Sequence, residues 1–553
     1  MSKNLSELSG RQGLEHNLFD RYGQLAQDRG TPGKEELADL AREFLIGAAN
    51  TYGATTFYDF LKPENRNKKV YICNGSVCLC AGTQDALKES LLDHFKEEEI
   101  GHMCCLGRCH ENAAFHYNGT NYSALKKEDL PSVFRNNNGI STKDEYNIGH
   151  IGTPVLTGMN LGVVEMKTLV GQLIETDGEE LLEGIKASGL RGRGGAGFPI
   201  GLKLQFCKQE ESDTKFVICN ADEGDPGAFS DRYLLEEKPY AVLLGMMIAG
   251  YVTGAEWGVV YIRAEYPESV EVIEQAIHQL NETGLLGNNI MGAGFNFHFK
   301  VIKAQGSYIC GEETALINSI EGQRPEVRVR PPYPAQQGLF NKPTIVNNVE
   351  TLAALPFILE HGGDAYAKLG SEKSKGTKLI SLDSHFNNPG ICEVEMGIPL
   401  SEVVHGFGKG FRKDVKALHI GGPLGGMVPI HKVDDLTIDF ESFSQHGFLL
   451  GHASIVSIPA DFPMIAYLEH LFEFAADESC GKCFPCRLGT KRAQEMMAKA
   501  QTGEYKLDHQ LIDDLLHTLE IGSLCAHGGG IPLPVRNTLL YFKDELSTYF
   551  AEA

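Results

Sequence analysis

Residues 189–203 read GLRGRGGAGFPIGLK. Gly192, Gly194 and Gly197 satisfy G-x-G-x-x-G, the spacing of a dinucleotide-binding turn. That turn ordinarily follows a strand. Here the preceding stretch, MKTLVGQLIETDGEELLEGIKASG, has helical periodicity instead. We therefore read no standard Rossmann loop, but an α/β domain with a glycine loop of another type. Dense glycine lets backbone N–H groups come close to an anion. Arg191, Arg193 and Lys203 add positive charge there, although the formal net charge of the chain is -23. A phosphate or a flat cofactor on exposed backbone is the functional reading. A purely structural glycine turn is the alternative.

Working outward, TKFVICN reads as a strand that runs into CNADEGDPGAFSDR, residues 219–232. Asn220, Asp222, Glu223 and Asp225 crowd its end, where ligands bind in α/β sheets. Such carboxylates suit a ribose or a ring N–H, and equally a solvated loop or a divalent metal. WGVVYIRAEY and FNFHFKVIKA are further strands. In GSYICGEETALINSIEG, residues 306–322, Gly311, Glu312 and Glu313 are expected in the first turn of a helix. Acidic side chains also suit the helix dipole there. NKPTIVNNVET adds the adjacent amides Asn347 and Asn348.

The 14 cysteines are unevenly spread. In SCGKCFPCRLG, residues 479–489, Cys480, Cys483 and Cys486 form a C-x2-C-x2-C run, which suits one face of a [4Fe–4S] cube. Cys525, in IGSLCAHGGG, is the later cysteine that can supply a fourth thiol. His527 reads as a packing residue rather than a ligand. Lys482 and Arg487 offset the charge of a thiolate-held cluster. Near the N-terminus, Cys73-x4-Cys78 and Cys105-x3-Cys109 offer two thiols from each of two loops, as a [2Fe–2S] rhomb requires. Cys80 and Cys104 are then spare, or replace a neighbour. Zinc, or buried thiols without metal, stays open for both groups. Disulfide staples are not expected in a cytosolic chain of this size.

With 553 residues, 42% hydrophobic and 22% charged, the chain is long enough for several ordinary folded domains. Its acidity argues against nucleic acid and anionic membrane surfaces. No signal-peptide pattern opens it, and AVLLGMMIAGYV, residues 241–252, is too short to span a bilayer. A soluble, cytoplasmic protein without direct membrane insertion is expected. The expected order is a helical region at 1–68, a compact α/β cysteine domain at 69–130 and a polar linker at 131–164. A nucleotide-type α/β domain at 165–370, a β-rich domain at 371–460 and a helical cluster domain at 461–553 follow.

We find no G-x-S-x-G, Walker or H-E-x-x-H pattern. Two cluster sites beside a nucleotide-type pocket point to electron transfer. A nicotinamide gives up two electrons as hydride, whereas a cluster accepts one at a time. Flavin handles both and is the natural converter.

GLRGRGGAGFPIGLK, CNADEGDPGAF, YICGEETALINSIEG and SCGKCFPCRLG, in that order, resemble the NADH-binding flavoprotein subunits of respiratory complex I. The chain looks most like the fused diaphorase subunits of soluble NAD-linked hydrogenases and formate dehydrogenases. Residues 1–130 are similar to the thioredoxin-like [2Fe–2S] subunit, here joined in front. The resemblance implies a thioredoxin-like ferredoxin domain, a non-standard Rossmann-like FMN/NADH domain, a ubiquitin-like β-rich domain and a helical [4Fe–4S] domain. It implies FMN contacts from Gly192, Arg193, Gly194, Lys203, Asn220, Asp222, Tyr308, Gly311, Glu312, Asn347 and Asn348, with Gly195 and Glu223 also among the cofactor-binding residues. NAD(H) would stack near Phe198 and Tyr333, with Arg330, Glu313 and Asp225 beside it. Glu313 and Asp225 are the expected catalytic, that is positioning, residues for hydride transfer between nicotinamide and flavin. Cys480, Cys483, Cys486 and Cys525 would hold [4Fe–4S], and Cys73, Cys78, Cys105 and Cys109 would hold [2Fe–2S].

Two departures stand out. The chain has ADEGDPG and RPPYP where complex I subunits usually read ADESEPG and KPPFP. Arg330 keeps the charge of Lys in a different geometry. Both changes point toward the soluble relatives. The implied partners are an iron–sulfur electron-transfer subunit and a hydrogenase or formate dehydrogenase catalytic subunit. A complex I subunit, a bifurcating module and a non-enzymatic zinc or nucleotide-binding scaffold are the alternatives.

Overall fold

The computed structural model describes residues 13–29, 32–135 and 144–551. Residues 1–12 of the expected helical region and 136–143 of the expected linker lie outside the described residues.

Strands β1 (Val70–Cys73) and β2 (Ile100–Met103) pair in parallel. The hairpin β3 (Phe115–Tyr117) and β4 (Thr120–Tyr122) completes a four-stranded sheet in the order β2-β1-β3-β4. Parallel neighbours need a crossover. The helix Gln84–Leu92 supplies it, burying Leu87 and Leu91 against Val70, Ile72 and Phe115. Cys73 ends β1 in register with Met103 at the end of β2, so both cysteine loops leave the same sheet edge.

Strand β5 (Asn147–Ile151) follows and belongs elsewhere, as described below. The long helical stretch before the glycine loop is two helices, Val163–Glu175 and Gly178–Ala187. Asp177 breaks it by capping the second: its carboxylate accepts from the Glu179 and Glu180 N–H groups. Strands β6 (Phe216–Ala221), β7 (Trp257–Ile262), β8 (Gly287–Ile290), β9 (Phe295–Lys303) and β10 (Thr344–Asn348) form the second sheet, ordered β10-β6-β7-β9-β8. All pairs but β8–β9 are parallel. Such a sheet must be covered on both faces. The apolar helix Pro239–Thr253 covers one. The other is covered by the N-terminal helices: Leu18, Phe19 and Tyr22 pack with Ile218, Val259 and Tyr261. Helices separated by polar linkers are expected at 1–68, and the structure makes them a lid on this sheet.

Strands β11 (Thr377–Leu382), β12 (Gly390–Glu395), β13 (Val415–Ile420), β14 (Gly426–Pro429) and β15 (Ser454–Pro459) form the third sheet, ordered β14-β13-β15-β11-β12-β5. The stretch expected as a linker thus donates an edge strand, with Asn147 to Ile151 in parallel register with Gly390 to Val394. Polar NIGHI has no burial signal because an edge strand is buried on few sides. The chain ends in helices Met464–Asp477, Thr490–Gln501, His509–Gly522 and Pro532–Tyr541, which share a core of Leu468, Leu471, Met496, Leu516 and Leu519. Among the described residues no helix is long and apolar enough to cross a membrane.

Candidate functional site

In the second sheet β6 lies between β7 on one side and β10 on the other, so the chain direction switches at the β6–β10 boundary. The carboxyl ends of strands flanking such a switch form a crevice for ligands. Here they carry Asn220 and Asp222 on one strand, and Asn347 and Asn348 on the other. The glycine loop joins two helices, Gly178–Ala187 and Ile200–Gln209, as its sequence context requires. It closes on itself through the Gly192 N–H donating to Phe198 O (2.8 Å). Asn348 caps the helix Val349–Ala353, and Thr351 Oγ1 accepts from the Arg193 N–H (2.8 Å). A Cβ on Gly194 would stand 3.0 Å from Asn348 Cβ. The loop therefore lies so close to the end of β10 that a side chain at this point would press on Asn348.

Two buried polar atoms at these strand ends have no protein partner, Asp222 Oδ2 and Asn347 Nδ2. Arg193 Nη1 of the glycine loop is also unpartnered, while its Nη2 donates to Tyr366 OH (3.1 Å) and Lys375 O. Burial drives the Asp222 carboxyl well above its ordinary pKa, against the pull of Arg263. Asn220 Nδ2 donates to Gly311 O (2.7 Å), and a Cβ on Gly311 would meet Asp222 Oδ2 at 3.7 Å. Buried donors and acceptors left open beside bare backbone fit a planar polar ring and a phosphate. Glu312 lies before the helix Glu313–Ile320 rather than within its first turn, and caps it by accepting from the Thr314 and Ala315 N–H groups. Gly311 ends a short 3-10 turn that begins at Tyr308.

At the rim, Arg330 bridges Glu313 (2.8 Å) and Glu312 (3.1 Å), and Lys203 stands 3.6 Å from Glu313. Asp225 is half-buried and hydrogen-bonds Tyr308, and burial raises its pKa. Phe198 and Tyr333 are each about half exposed, and neither ring has an aromatic partner among the described residues. Gly195 approaches Gly451, while Gly422 packs on Asp225, so loops of the third sheet close the crevice from the far side.

The Glu223 carboxylate is taken up by neighbouring donors. It accepts from the Asp231 (2.9 Å) and Arg232 (3.1 Å) N–H groups and from Tyr266 OH (3.1 Å). Burial, then the charge of Asp231, pushes Glu223 up to about 7. Burial opposes charge on His452, but Asp231 and Glu223 lift it to about 9. Both folded-state values are raised, so both groups favour folding at low pH and lose that contribution as pH rises through about 7 and then about 9. Unfolding free energy is expected to fall by a few kcal/mol across that window. Denaturant titrations at several pH values check this, and a flat profile contradicts it.

The N-terminal thiols converge. Cys105 Sγ and Cys109 Sγ lie 3.4 Å apart, and Cys73 hydrogen-bonds both Cys105 and Cys78. Gly75 leaves room: a Cβ there would stand 3.5 Å from Cys73 Sγ and 3.6 Å from Cys105 Sγ. Cys80 faces away and packs with Met464, Tyr467 and Leu468. Cys104 faces Arg263 and Glu478. The late thiols also converge. The Leu524 N–H donates to Cys483 Sγ (3.3 Å), which brings Cys525 to the C-x2-C-x2-C loop. Cys525 feels the charges of Cys480 and Glu312, and Cys486 those of Cys480 and Cys483. His527 is buried and pairs with Ala475 O (2.8 Å), a packing role. Lys482 donates to Val327 O (2.6 Å). Tyr308 links crevice and cage: its ring meets Phe474 at 5.0 Å and His527 at 5.6 Å, and its N–H donates to Glu478 Oε2 (2.8 Å).

Sequence reasoning missed Asp231, Arg263, Tyr266, His452 and Glu478. Arg263 reaches both Glu223 O and Cys104 O, so it ties the first cysteine site to the end of β6. Only Glu478, directly before SCGKC, carried a positional hint.

A crevice at a strand switch, joined through one tyrosine to a four-thiol cage and through one arginine to a second, defines an iron–sulfur flavoprotein of the NADH-oxidising class. Three family comparisons agree: residues 185–356 match the Nuo51 FMN-binding domain, 466–549 the NADH-ubiquinone oxidoreductase-F iron-sulfur binding region and 23–138 the thioredoxin-like [2Fe-2S] ferredoxin. The HndC component of the NADP-reducing hydrogenase of Solidesulfovibrio fructosivorans is 42% identical over 67% of this chain and 76% of its own. The α subunit of NAD-reducing hydrogenase HoxS from Cupriavidus necator is 34% identical over 89% of this chain and 85% of its own. A crystal structure of air-oxidised NAD+-reducing [NiFe]-hydrogenase contains a chain with TM-score 0.85 and 27% identity, covering 97% of this chain and 93% of that one. The chain belongs to the NADH-binding flavoprotein family, which takes in the flavoprotein subunits of complex I and the diaphorase subunits of NAD(P)-reducing hydrogenases. It is an oxidoreductase subunit with FMN, [4Fe–4S] and [2Fe–2S] regions.

Proposed function

We propose that the chain is the diaphorase subunit of a soluble, cytoplasmic NAD-linked hydrogenase or formate dehydrogenase. The observation that carries the pocket is the pair of orphaned buried atoms at the carboxyl ends of β6 and β10, Asp222 Oδ2 and Asn347 Nδ2, with the glycine loop of Arg193 laid against them through Thr351 and Asn348. With Gly192, Arg193, Gly194, Gly195, Lys203, Asn220, Tyr308, Gly311, Glu312 and Asn348 they hold FMN, which converts hydride transfer into single-electron transfer. Arg330, Glu313 and Asp225 orient the nicotinamide nucleotide, and Phe198 and Tyr333 offer it exposed rings. Their contribution is positioning. Cys480, Cys483, Cys486 and Cys525 hold [4Fe–4S], and Cys73, Cys78, Cys105 and Cys109 hold [2Fe–2S].

Exposed apolar side chains support an iron–sulfur partner subunit. Phe484 and Ile521 are each 71% exposed, and Leu488 and Leu524, a turn further along, are about half exposed. They flank Cys483 and Cys525, the two thiols of the cage that are not fully buried. A patch of this kind marks an interaction surface.

Anaerobic purification of the native complex with flavin, iron and sulfide analysis tests the reading. FMN, both clusters and a co-purifying hydrogenase or formate dehydrogenase subunit are expected. A colourless protein, or one holding zinc at the late thiols, rejects it. Glu313→Gln removes the charge that Arg330 and Lys203 hold in place. A KM for NADH raised by about tenfold is expected, on the scale of one lost charged hydrogen bond. Unchanged kinetics at matched flavin content would reject that role.

A further inference from the structure

Three buried ionisable groups from two structural units meet beside the crevice. His452 lies just ahead of β15, in the third-sheet unit, while Asp231 and Glu223 belong to the second. His452 Nε2 stands 3.3 Å from Asp231 Oδ2 and 3.7 Å from Glu223 Oε1. All three residues are more than nine-tenths buried. Asp231 Oδ2 also accepts from Asn348 Nδ2 (2.6 Å), the residue on which Gly194 rests. The imidazole is thus three contacts from the glycine loop, through Asp231 and Asn348. Asp231 Oδ1 and His452 Nδ1 have no protein partner. The other charged groups facing the cluster are Lys378, itself paired with Glu350, and Asp225, Arg232 and Arg263.

Buried charge is costly unless it is balanced. A hydride brings two electrons and one proton into the pocket, and the pocket gains one negative charge. We propose that Glu223, Asp231 and His452 form a redox-linked proton site: the cluster takes one proton from solvent when NADH delivers its hydride, and returns it when the two electrons have left. This rests on the flavin reading above. The extra proton makes no bond to the flavin. NADH is oxidised to NAD+, the electrons leave singly to the clusters, and the hydride's own proton and the compensating proton both return to solvent. Glu223 is the group that exchanges it. Its carboxyl titrates near neutrality, while His452, 3.3 Å from Asp231, stays charged to higher pH. His452 is a positioning residue that keeps Glu223 in range.

Spectroelectrochemical titration of the flavin in the native complex, from about pH 6 to 8, tests this. One proton per two electrons changes the reduction equilibrium tenfold per pH unit, ~30 mV for a two-electron couple. The wild-type protein is expected to be steeper than tenfold. Glu223→Gln should return it to tenfold, and His452→Gln should move the steep region to higher pH, because the carboxyl loses its neighbouring cation. A wild-type slope of tenfold, or a steep slope surviving in Glu223→Gln, overturns the proposal. Should a variant not bind flavin, reduced-minus-oxidised infrared spectra of the wild type decide: a carboxylic-acid C=O band must grow on reduction, and its absence overturns the proposal. A divalent metal retained by the wild type and lost in His452→Gln would also overturn it, since the three groups would then be ligands. A protein whose flavin does not titrate reversibly at any pH would sink the flavin reading instead.

Discussion

Cys525→Ala is expected to strip about four irons from each chain and to erase the [4Fe–4S] signal, while FMN and the [2Fe–2S] cluster remain. Cys525 starts the turn Ala526–Gly530, and the preceding Leu524 N–H anchors that turn to Cys483 Sγ (3.3 Å). The approach is tight: a Cβ on Gly528 would fall 2.8 Å from Cys486 Cβ and 2.5 Å from Ser523 Oγ. Residues that merely orient a metal ligand are worth ~10–100-fold in affinity, so removing a ligand itself should abolish the site. NADH should still bleach the flavin, because Tyr308 and the strand ends are untouched. Delivery of electrons to the partner subunit should stop. Iron analysis, electron paramagnetic resonance and flavin bleaching read the three parts separately. A full complement of cluster iron in Cys525→Ala would remove Cys525 from the ligand set.

Asp144→Asn is expected to lower stability by about 1.5–3 kcal/mol, the scale of one lost charged hydrogen bond, because Arg108 keeps Glu268 (3.2 Å) and Arg232 keeps Glu236 (3.2 Å). The Asp144 side chain is 7% exposed and sits between the Arg108 and Arg232 guanidinium groups, themselves 4% and 3% exposed. Arg108 follows β2 in the first cysteine unit, and Arg232 lies on the helix Ser230–Glu237 beside the crevice. Neutralising Asp144 sets two guanidiniums against each other across the joint between those units. Arg232 also donates to Gly107 O (2.6 Å), between Cys105 and Cys109, so the loss should reach the [2Fe–2S] loop. Denaturant unfolding, with the [2Fe–2S] signal followed in parallel, gives the readout. A change below about 1 kcal/mol, typical of an exposed pair, would show that the joint does not depend on it.

The chemistry was legible in the sequence where it is local. Three thiols spaced by two residues must share a loop, whatever surrounds them. A helix before the glycine loop excludes the usual strand-turn-helix unit, and the structure has helices on both sides of it. AVLLGMMIAGYV reads as a buried helix because it is apolar on every side, and it is one. Asp144, in contrast, lies in a polar stretch that reads as a linker, and Asn147–Ile151 is too polar to announce a strand. The four cysteines on two early loops left both zinc and a rhomb open.

From sequence alone came the loops and their candidate chemistry, iron–sulfur or zinc at the thiols and a phosphate or flat cofactor at the glycines, because thiol and glycine spacing acts over a few residues. The resemblance to flavoprotein subunits narrowed these to FMN and two clusters. Only the tertiary structure decided what those loops face. Sheet order places Asn220 beside Asn348 and sets the crevice at the β6–β10 switch. It carries His452 to Asp231 across 221 residues of chain. It also makes a lid of the N-terminal helices and an edge strand of the linker. Contacts between residues so far apart follow from which faces must be buried together, and no local pattern of residues encodes that.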